Sequence, residues 1–483
     1  MLNNSNPEFL GERPVGALLW EFSLPSIIAS LVSASYNIVA RIFVGQKIGA
    51  LGIAALHVSF PFMLIALAFA MMIGTGASTL ISIELGKKDR AKAEDILGQA
   101  LLMFLAVSAL FVVFGLLFLV PMLKLFGASE DILPLAKEYL SIIIWGVVFQ
   151  EIAYGVNNFI RIEGKPKIAM VTMILSAVLN GILDYVFLFV FETGIWGAAV
   201  SNLIALAATS LWVCWYYFSG RTVLRWRRRC LRPNLSLAWK IAVFGTVPLA
   251  TQVCSAVIHG VQNNLLGHYG ALYGASRGIA HCGDLAISVM GTVFSVSTLF
   301  LMPLLGLSQG MQPIVGYNVG ASEPVRVHRT LRLTLRLALS FCTAIWIVIM
   351  FRPDWFILPF LKPGAPEYRE NLMLGCRAFR VFASLLPLVG VNIISGGYFQ
   401  AHGRPILSLF LTLLRQLFIL IPSLILLPIL FEKARIEGIY GLDGVWSAHA
   451  FSDLLSGAIA IFFLSLEYRR HTKRAASPAG PGE

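Results

Sequence analysis

Lys167-Ile-Ala-Met-Val-Thr-Met-Ile-Leu-Ser-Ala-Val-Leu-Asn-Gly-Ile-Leu-Asp-Tyr-Val-Phe-Leu-Phe-Val-Phe191 decides how the rest of the chain is read. From Ile168 to Phe191 it is almost wholly apolar, long enough to cross a bilayer as a helix. Asp184 is its single acidic residue. A carboxylate near mid-helix costs about 2.5–3.5 kcal/mol on insertion scales. Asn180 stands four residues earlier, so both side chains share one helix face. Oxygens paired in this way inside a membrane hold a proton or a hard cation such as Na⁺. The plainer alternative is a capping or packing pair.

Composition extends that reading to the whole chain. Of 483 residues, 57% are hydrophobic and 13% charged, with a mean hydropathy of +0.78. So much apolar surface predicts an all-α polytopic membrane protein. The net charge is +12. Its basic residues flank hydrophobic spans, which argues for topology signals and against a nucleic-acid partner. The start, Met1-Leu-Asn-Asn-Ser-Asn, shows no cleavable signal. The six cysteines form no CxxC pair and are read as small packing residues.

Working outward, spans are expected over Val15–Phe43, Ala54–Ile83, Ile96–Leu123, Leu133–Ile160, Ile168–Phe191 and Thr193–Gly220. A second set is expected over Ile241–Leu266, Leu285–Val319, Leu331–Phe351, Cys376–Ala401, Ile406–Phe431 and Gly441–Leu466. Residues 1–220 then form an N-terminal six-helix lobe and 241–466 a C-terminal one. The basic stretch 221–240 joins them, and 467–483 is a disordered tail. Pro25 lies well inside the first span and predicts a kink. Basic residues gather after every second span and in the tail, so both termini are expected in the cytoplasm.

The halves repeat. Gly76-Ala-Ser-Thr-Leu-Ile-Ser-Ile-Glu-Leu-Gly86 aligns with Gly310-Met-Gln-Pro-Ile-Val-Gly-Tyr-Asn-Val-Gly320. Gly164-Lys-Pro166 aligns with Gly403-Arg-Pro405, and Gly194-Ile-Trp-Gly with Gly441-Leu-Asp-Gly. Halves with an even number of spans share one orientation and are related by an axis along the membrane normal.

These residues together resemble the MATE (multidrug and toxic compound extrusion) family, in its DinF-like and MepA-like branch. The resemblance rests on Pro25, Tyr36-Asn-Ile-Val-Ala-Arg-Ile-Phe-Val-Gly45, Phe60-Pro61 and Arg161-Ile-Glu-Gly-Lys-Pro166. It rests also on Leu179-Asn-Gly-Ile-Leu-Asp184 and Gly306-Leu-Ser-Gln-Gly-Met-Gln-Pro313. It implies twelve helices in two six-helix bundles around a V-shaped cavity. It further implies a plasma-membrane antiporter, monomeric and without cofactor. Such a protein exports small cationic or amphiphilic drugs against H⁺ or Na⁺ by alternating access. By the same resemblance Tyr139, Asn180, Asp184 and Ser201 form a cation site, with Asn37 on the first helix beside it. The chain departs at Ala40, where this branch normally carries Asp. Na⁺, if bound, would sit at Asp184 and Asn180.

Other residues carry weaker signals. Gln252, Asn264 and Gln312 are polar within spans, and Met290 and Met311 could line an adaptable wall. Interhelical packing is the alternative for each. Glu151 is a second intramembrane acid, for which an ion pair or a packing hydrogen bond is the plain account. Arg415 is a lone charge near the head of the eleventh span, facing either the lobe interior or the interface. His57 and His259 are titratable. Two rivals remain, a lipid-linked substrate flippase of the wider superfamily and a receptor or scaffold without transport. No nucleophile–base pair or nucleotide loop points to an enzyme.

Overall fold

The computed structural model describes residues 9–476, except 49, 127–129, 131, 219–221, 223, 225–232, 278–281, 361–367, 435–437 and 439. The side chains of some further helical residues, Asn37 and His57 among them, also lie outside the described residues. So do Cys230 and most of the basic run 221–232.

The chain is helical from end to end. The first half comprises α1 (Val15–Ile48), α2 (Ala50–Gly86), α3 (Arg90–Leu117), α4 (Leu133–Ile162), α5 (Pro166–Tyr185) and α6 (Gly194–Phe218). The second comprises α7 (Leu235–Arg277), α8 (Cys282–Gly320) and α9 (Pro324–Phe351). It continues with α10 (Tyr368–Phe382, then Leu386–Ala401), α11 (Pro405–Ala434) and α12 (Gly441–Ala476). Eleven helices are long and apolar enough to span a membrane, or twelve counting the two arms of α10 as one bent span. This is the expected all-α polytopic architecture.

Helix limits differ from the expected ones for local reasons. The third span stops at Leu117, and a short helix, Leu119–Leu125, follows. Pro121 has no N–H to give the Leu117 carbonyl, so the α-helical ladder breaks there. The tenth span bends by 49° between its arms, where Pro387 likewise cannot bond Ala383. α7 begins at Leu235, inside the stretch 221–240, because Asn234 caps it by accepting the Leu237 N–H at 3.1 Å. α12 runs on to Ala476, past the expected end at Leu466.

The internal repeat reappears in the backbone. Lys88 and Ser322, each two residues past an aligned glycine, hold φ of 63° and 58°. Both turns close with the same pair of bonds, Lys88 N–H to Leu85 O with Asp89 N–H to Glu84 O, and Ser322 N–H to Val319 O with Glu323 N–H to Asn318 O. Gly164 and Gly403 hold φ of 86° and 82°, and each hands the chain to a proline that opens the next helix.

The contacts divide the chain into two compact units. The first contains residues 1–252, 309–327 and 400–406; the second contains 253–308, 328–399 and 407–483. Within the first unit, Gly86 on α2 lies against Gly320 on α8. A β-carbon on Gly86 would strike Tyr317 O, and one on Gly320 would strike Ile83 O. The contact is reciprocal between repeat-equivalent residues, as a two-fold axis between them requires. Gly76 against Ile241 on α7 and Gly310 against Ser23 on α1 extend this seam of small residues. Asn318 donates to Leu10 O at 3.1 Å and Arg326 to Arg13 O at 2.6 Å, so the described N-terminal residues lie at the end with the basic turns.

Candidate functional site

α5 brings Asn180 and Asp184 onto one face, and both are buried, at 4% and 3% exposure. Immediately past Asp184 the helix widens into a π turn, Val186–Val190, with Phe191 N–H bonded to Val186 O at 2.9 Å. Such widenings recur at functional sites because they re-aim side chains and free a carbonyl. Thr193 takes up one carbonyl of this turn, donating to Phe187 O at 2.8 Å.

α6 supplies the partner. Ser201 Oγ is fully buried and donates to Asp184 Oδ1. The same hydroxyl lies 3.0 Å from Ala198 O. It has one proton and two acceptors, which suits an acid that changes charge. With Asp184 ionised, the hydroxyl points to the carboxylate. With Asp184 protonated, it turns to Ala198 O and accepts from the acid. Tyr139 on α4 is buried in the cluster containing Leu188, Ile195 and Ala198, so its helix borders the same region.

α1 packs along α5 at this depth. The Phe43 ring stands 6.4 Å from Tyr185 and 5.5 Å from Phe189. Ala40 is partly buried one turn before Phe43, close to the depth of Asp184. The Asn37 side chain lies outside the described residues. Pro25 lies inside α1 as expected, and neighbouring Ser26 donates to Phe22 O at 2.9 Å.

The cavity candidates divide. Gln252, Met311 and Gln312 belong to the first unit, Asn264 and Met290 to the second. Met290 and Met311 are buried at 1% and 0%, as packed core rather than an open wall. Asn264 is exposed and donates to Gly260 O at 3.1 Å. Gln252 and Gln312 are half-buried.

Sequence reasoning did not find the second unit's own polar centre. Arg415 Nε bonds Asp453 Oδ1 at 2.8 Å, and Ser452 Oγ donates to Arg415 O at 2.7 Å. Arg415 therefore faces the lobe interior. It lies in a π stretch of α11, Leu414–Leu420. His449 and Gln262 lie 3.1 Å apart nearby on α12 and α7. The only signal in the sequence was Arg415 itself.

The model of the MatE family matches residues 25–186 and 277–425, most of the chain. The chain belongs to the MatE family. The multidrug export protein MepA of Staphylococcus aureus is 24% identical over 441 residues, 91% of each chain. The MATE multidrug transporter DinF-BH, solved in complex with the dye rhodamine 6G, is 32% identical at a TM-score of 0.82, covering 94% of this chain and 97% of that one. An outward-facing multidrug resistance MATE family transporter superposes at a TM-score of 0.86 and 21% identity, over 98% of this chain and all of that one. The family is one of membrane transporters, so the chain is a multi-pass transporter and not an enzyme, and its members need no cofactor.

Proposed function

We propose that this protein is a plasma-membrane antiporter that exports cationic or amphiphilic compounds in exchange for H⁺ or Na⁺, with both termini in the cytoplasm. The observation that carries the reading is the Asp184 carboxyl. It is buried in a spanning helix of a multidrug-export family, with the Ser201 hydroxyl as its donor and Asn180 one turn away. A carboxyl that keeps a neutral partner stays free to take an external cation. The printed names of the relatives support export, and the dye complex of DinF-BH makes rhodamine 6G the first substrate to try.

Alternating access asks the glycine seam between α2, α7, α8 and α1 to part during each cycle. Within it Ser82 is buried at 3% and donates to Pro313 O at 3.1 Å. Replacing Gly320 by Leu is expected to wedge the seam open. A cysteine at Ser82, protected from an aqueous maleimide in the parent, then becomes labelled; continued protection would mean that the seam is not a gate.

The direct test is flux. In proteoliposomes under imposed pH or Na⁺ gradients, the parent protein drives efflux of rhodamine 6G or ethidium. Asp184→Asn keeps shape and removes charge. It is expected to lower gradient-driven efflux at least tenfold while the protein still folds. Normal efflux by this variant would sink the proposal.

A further inference from the structure

Glu151 on α4 is fully buried, and neither carboxylate oxygen has a hydrogen-bond partner. The ion pair or packing hydrogen bond expected of it from sequence is absent among the described residues. An ionised carboxylate left unpaired in a dry bundle costs far more than a neutral carboxyl group. A buried polar group without a partner therefore calls for an explanation.

Its depth can be read from the glycines around it. A β-carbon on Gly115 of α3 would lie 3.0 Å from Ile144, and one on Gly155 of α4 would meet the Phe104 ring. These contacts put Glu151 opposite Ser108 of α3, which is buried at 1% and whose Oγ is also unpartnered. A β-carbon on Gly146 would lie 3.6 Å from Leu203 of α6. α4 and α6 run parallel, so Glu151 stands level with Thr209 and Ser210, both buried. Ser201, and with it Asp184, stands level with residues near Ile143. Glu151 thus lies about 13 Å from Asp184 along the bundle, toward the Gly164 turn.

α4 continues in polar residues below Glu151. Asn157 is buried at 2% with its Oδ1 unpartnered, and Arg161 is buried at 8% with a bond to Gln309. Few other titratable groups share this interior. α2 has no Asp, Glu, Lys or Arg from Ala54 to Ile83, and α3 none between Asp95 and Lys124. α5 has only Asp184 between Lys167 and Glu192; α6 has no charged residue, and its Cys214, Tyr216 and Tyr217 lie nearer the basic turns. α4 itself adds Tyr139 and Tyr154.

We propose that Glu151 is a second proton-carrying carboxyl of the N-terminal bundle, linking the Asp184 site to the end with the basic turns along the polar face of α4. The inference rests on the antiporter reading above. It names an acid on α4 where α1 has only Ala40.

Two measurements on the full-length protein test it. In infrared difference spectra taken across a pH titration, a protonated carboxylic C=O band is expected in the parent and in Asp184→Asn, and is expected to be lost in Glu151→Gln. In ethidium-loaded proteoliposomes, Glu151→Gln is expected to lower pH-driven efflux about tenfold while leaving ethidium exchange without a gradient unchanged. Glu151→Asp is expected to restore part of the loss. If Glu151→Gln keeps both the band and the efflux while Asp184→Asn loses efflux, Glu151 is a packing residue and the antiporter reading stands. If Asp184→Asn also transports normally, the antiporter reading fails, and this one with it.

Discussion

The fifth and sixth helices of the two halves solve the same packing problem with opposite charge arrangements. In the first half α5 carries Asp184, and α6 answers with a hydroxyl, Ser201. In the second half α12 carries Asp453, and α11 answers with a guanidinium, Arg415, at 2.8 Å. Both fifth helices contain a π segment, Val186–Val190 and Leu414–Leu420. Both acids are nearly as buried, at 3% and 4%. A shared scaffold therefore holds one acid with a built-in cation and one without. Only the acid without can exchange its counter-charge with the surroundings as the protein works.

The comparison breaks hardest at the second half's pair. Arg415→Met leaves Asp453 buried and unpaired, which is expected to cost about 3 kcal/mol. Adding Asp453→Leu to it removes the orphaned charge and is expected to recover most of that loss. Thermal unfolding of the two variants in one detergent measures the difference. If the single variant is as stable as the parent, the pair is not what holds α11 to α12.

Ser201→Ala sharpens the other side. A hydrogen bond to an ionised group contributes about 1.5–3 kcal/mol. Its loss is expected to shift the ion dependence of dye efflux about tenfold, and Ser201→Thr, which keeps the hydroxyl, is expected to leave it unchanged. Efflux against pH and Na⁺ in the same vesicles reads the shift. Equal curves for Ser201→Ala and the parent would remove the hydroxyl from the site.

Ala40→Asp should act more weakly, because it adds a partner without removing one. α1 runs beside α5 at this depth, as the Phe43–Tyr185 contact shows. Two carboxylates close together in a dry site share a proton or a cation more tightly than one does alone. Gradient-driven efflux is expected to rise severalfold, with altered pH or Na⁺ dependence. Superimposable curves would mean that Ala40 has no bearing on coupling.

How much of this was legible follows from where each signal lies in the chain. Asp184 was legible because one acid in an apolar span needs no partner to stand out. The repeat was legible because Gly164 and Gly403 hold φ values that favour glycine. Ser201 came only through family resemblance, since a hydroxyl in an apolar helix is commonplace. The Arg415–Asp453 pair was not legible. Its members are 38 residues apart on different helices, and only the rotation of α11 against α12 brings them together. Nor was the isolation of Glu151, because the lack of a partner is a property of the packed bundle. The breaks at Pro121 and Pro387 were written in the sequence but masked by the continuous hydropathy around them.

The turns before the sixth helices extend the same contrast to the protein surface. In the second half Arg377 grips Asp443 with two bonds, at 2.6 and 2.7 Å. In the first half Lys47 makes a single bond of 2.6 Å to an exposed Glu192. Lys47, by that bond first and its charge second, holds the Glu192 carboxyl below its usual value of 4.5. A lowered carboxyl contributes stability that is present above its unfolded value and lost as pH falls through its folded one. Between pH 8 and pH 5 the tie is therefore fully formed and adds no pH dependence. Solvent screens it, so Glu192→Gln is expected to move the melting temperature by no more than about 1 °C. Arg377→Lys, which loses the fork geometry at a less exposed acid, is expected to move it further. Melting curves at pH 7 and pH 5 check both. A larger drop for Glu192→Gln than for Arg377→Lys would reverse the ranking of the two turns.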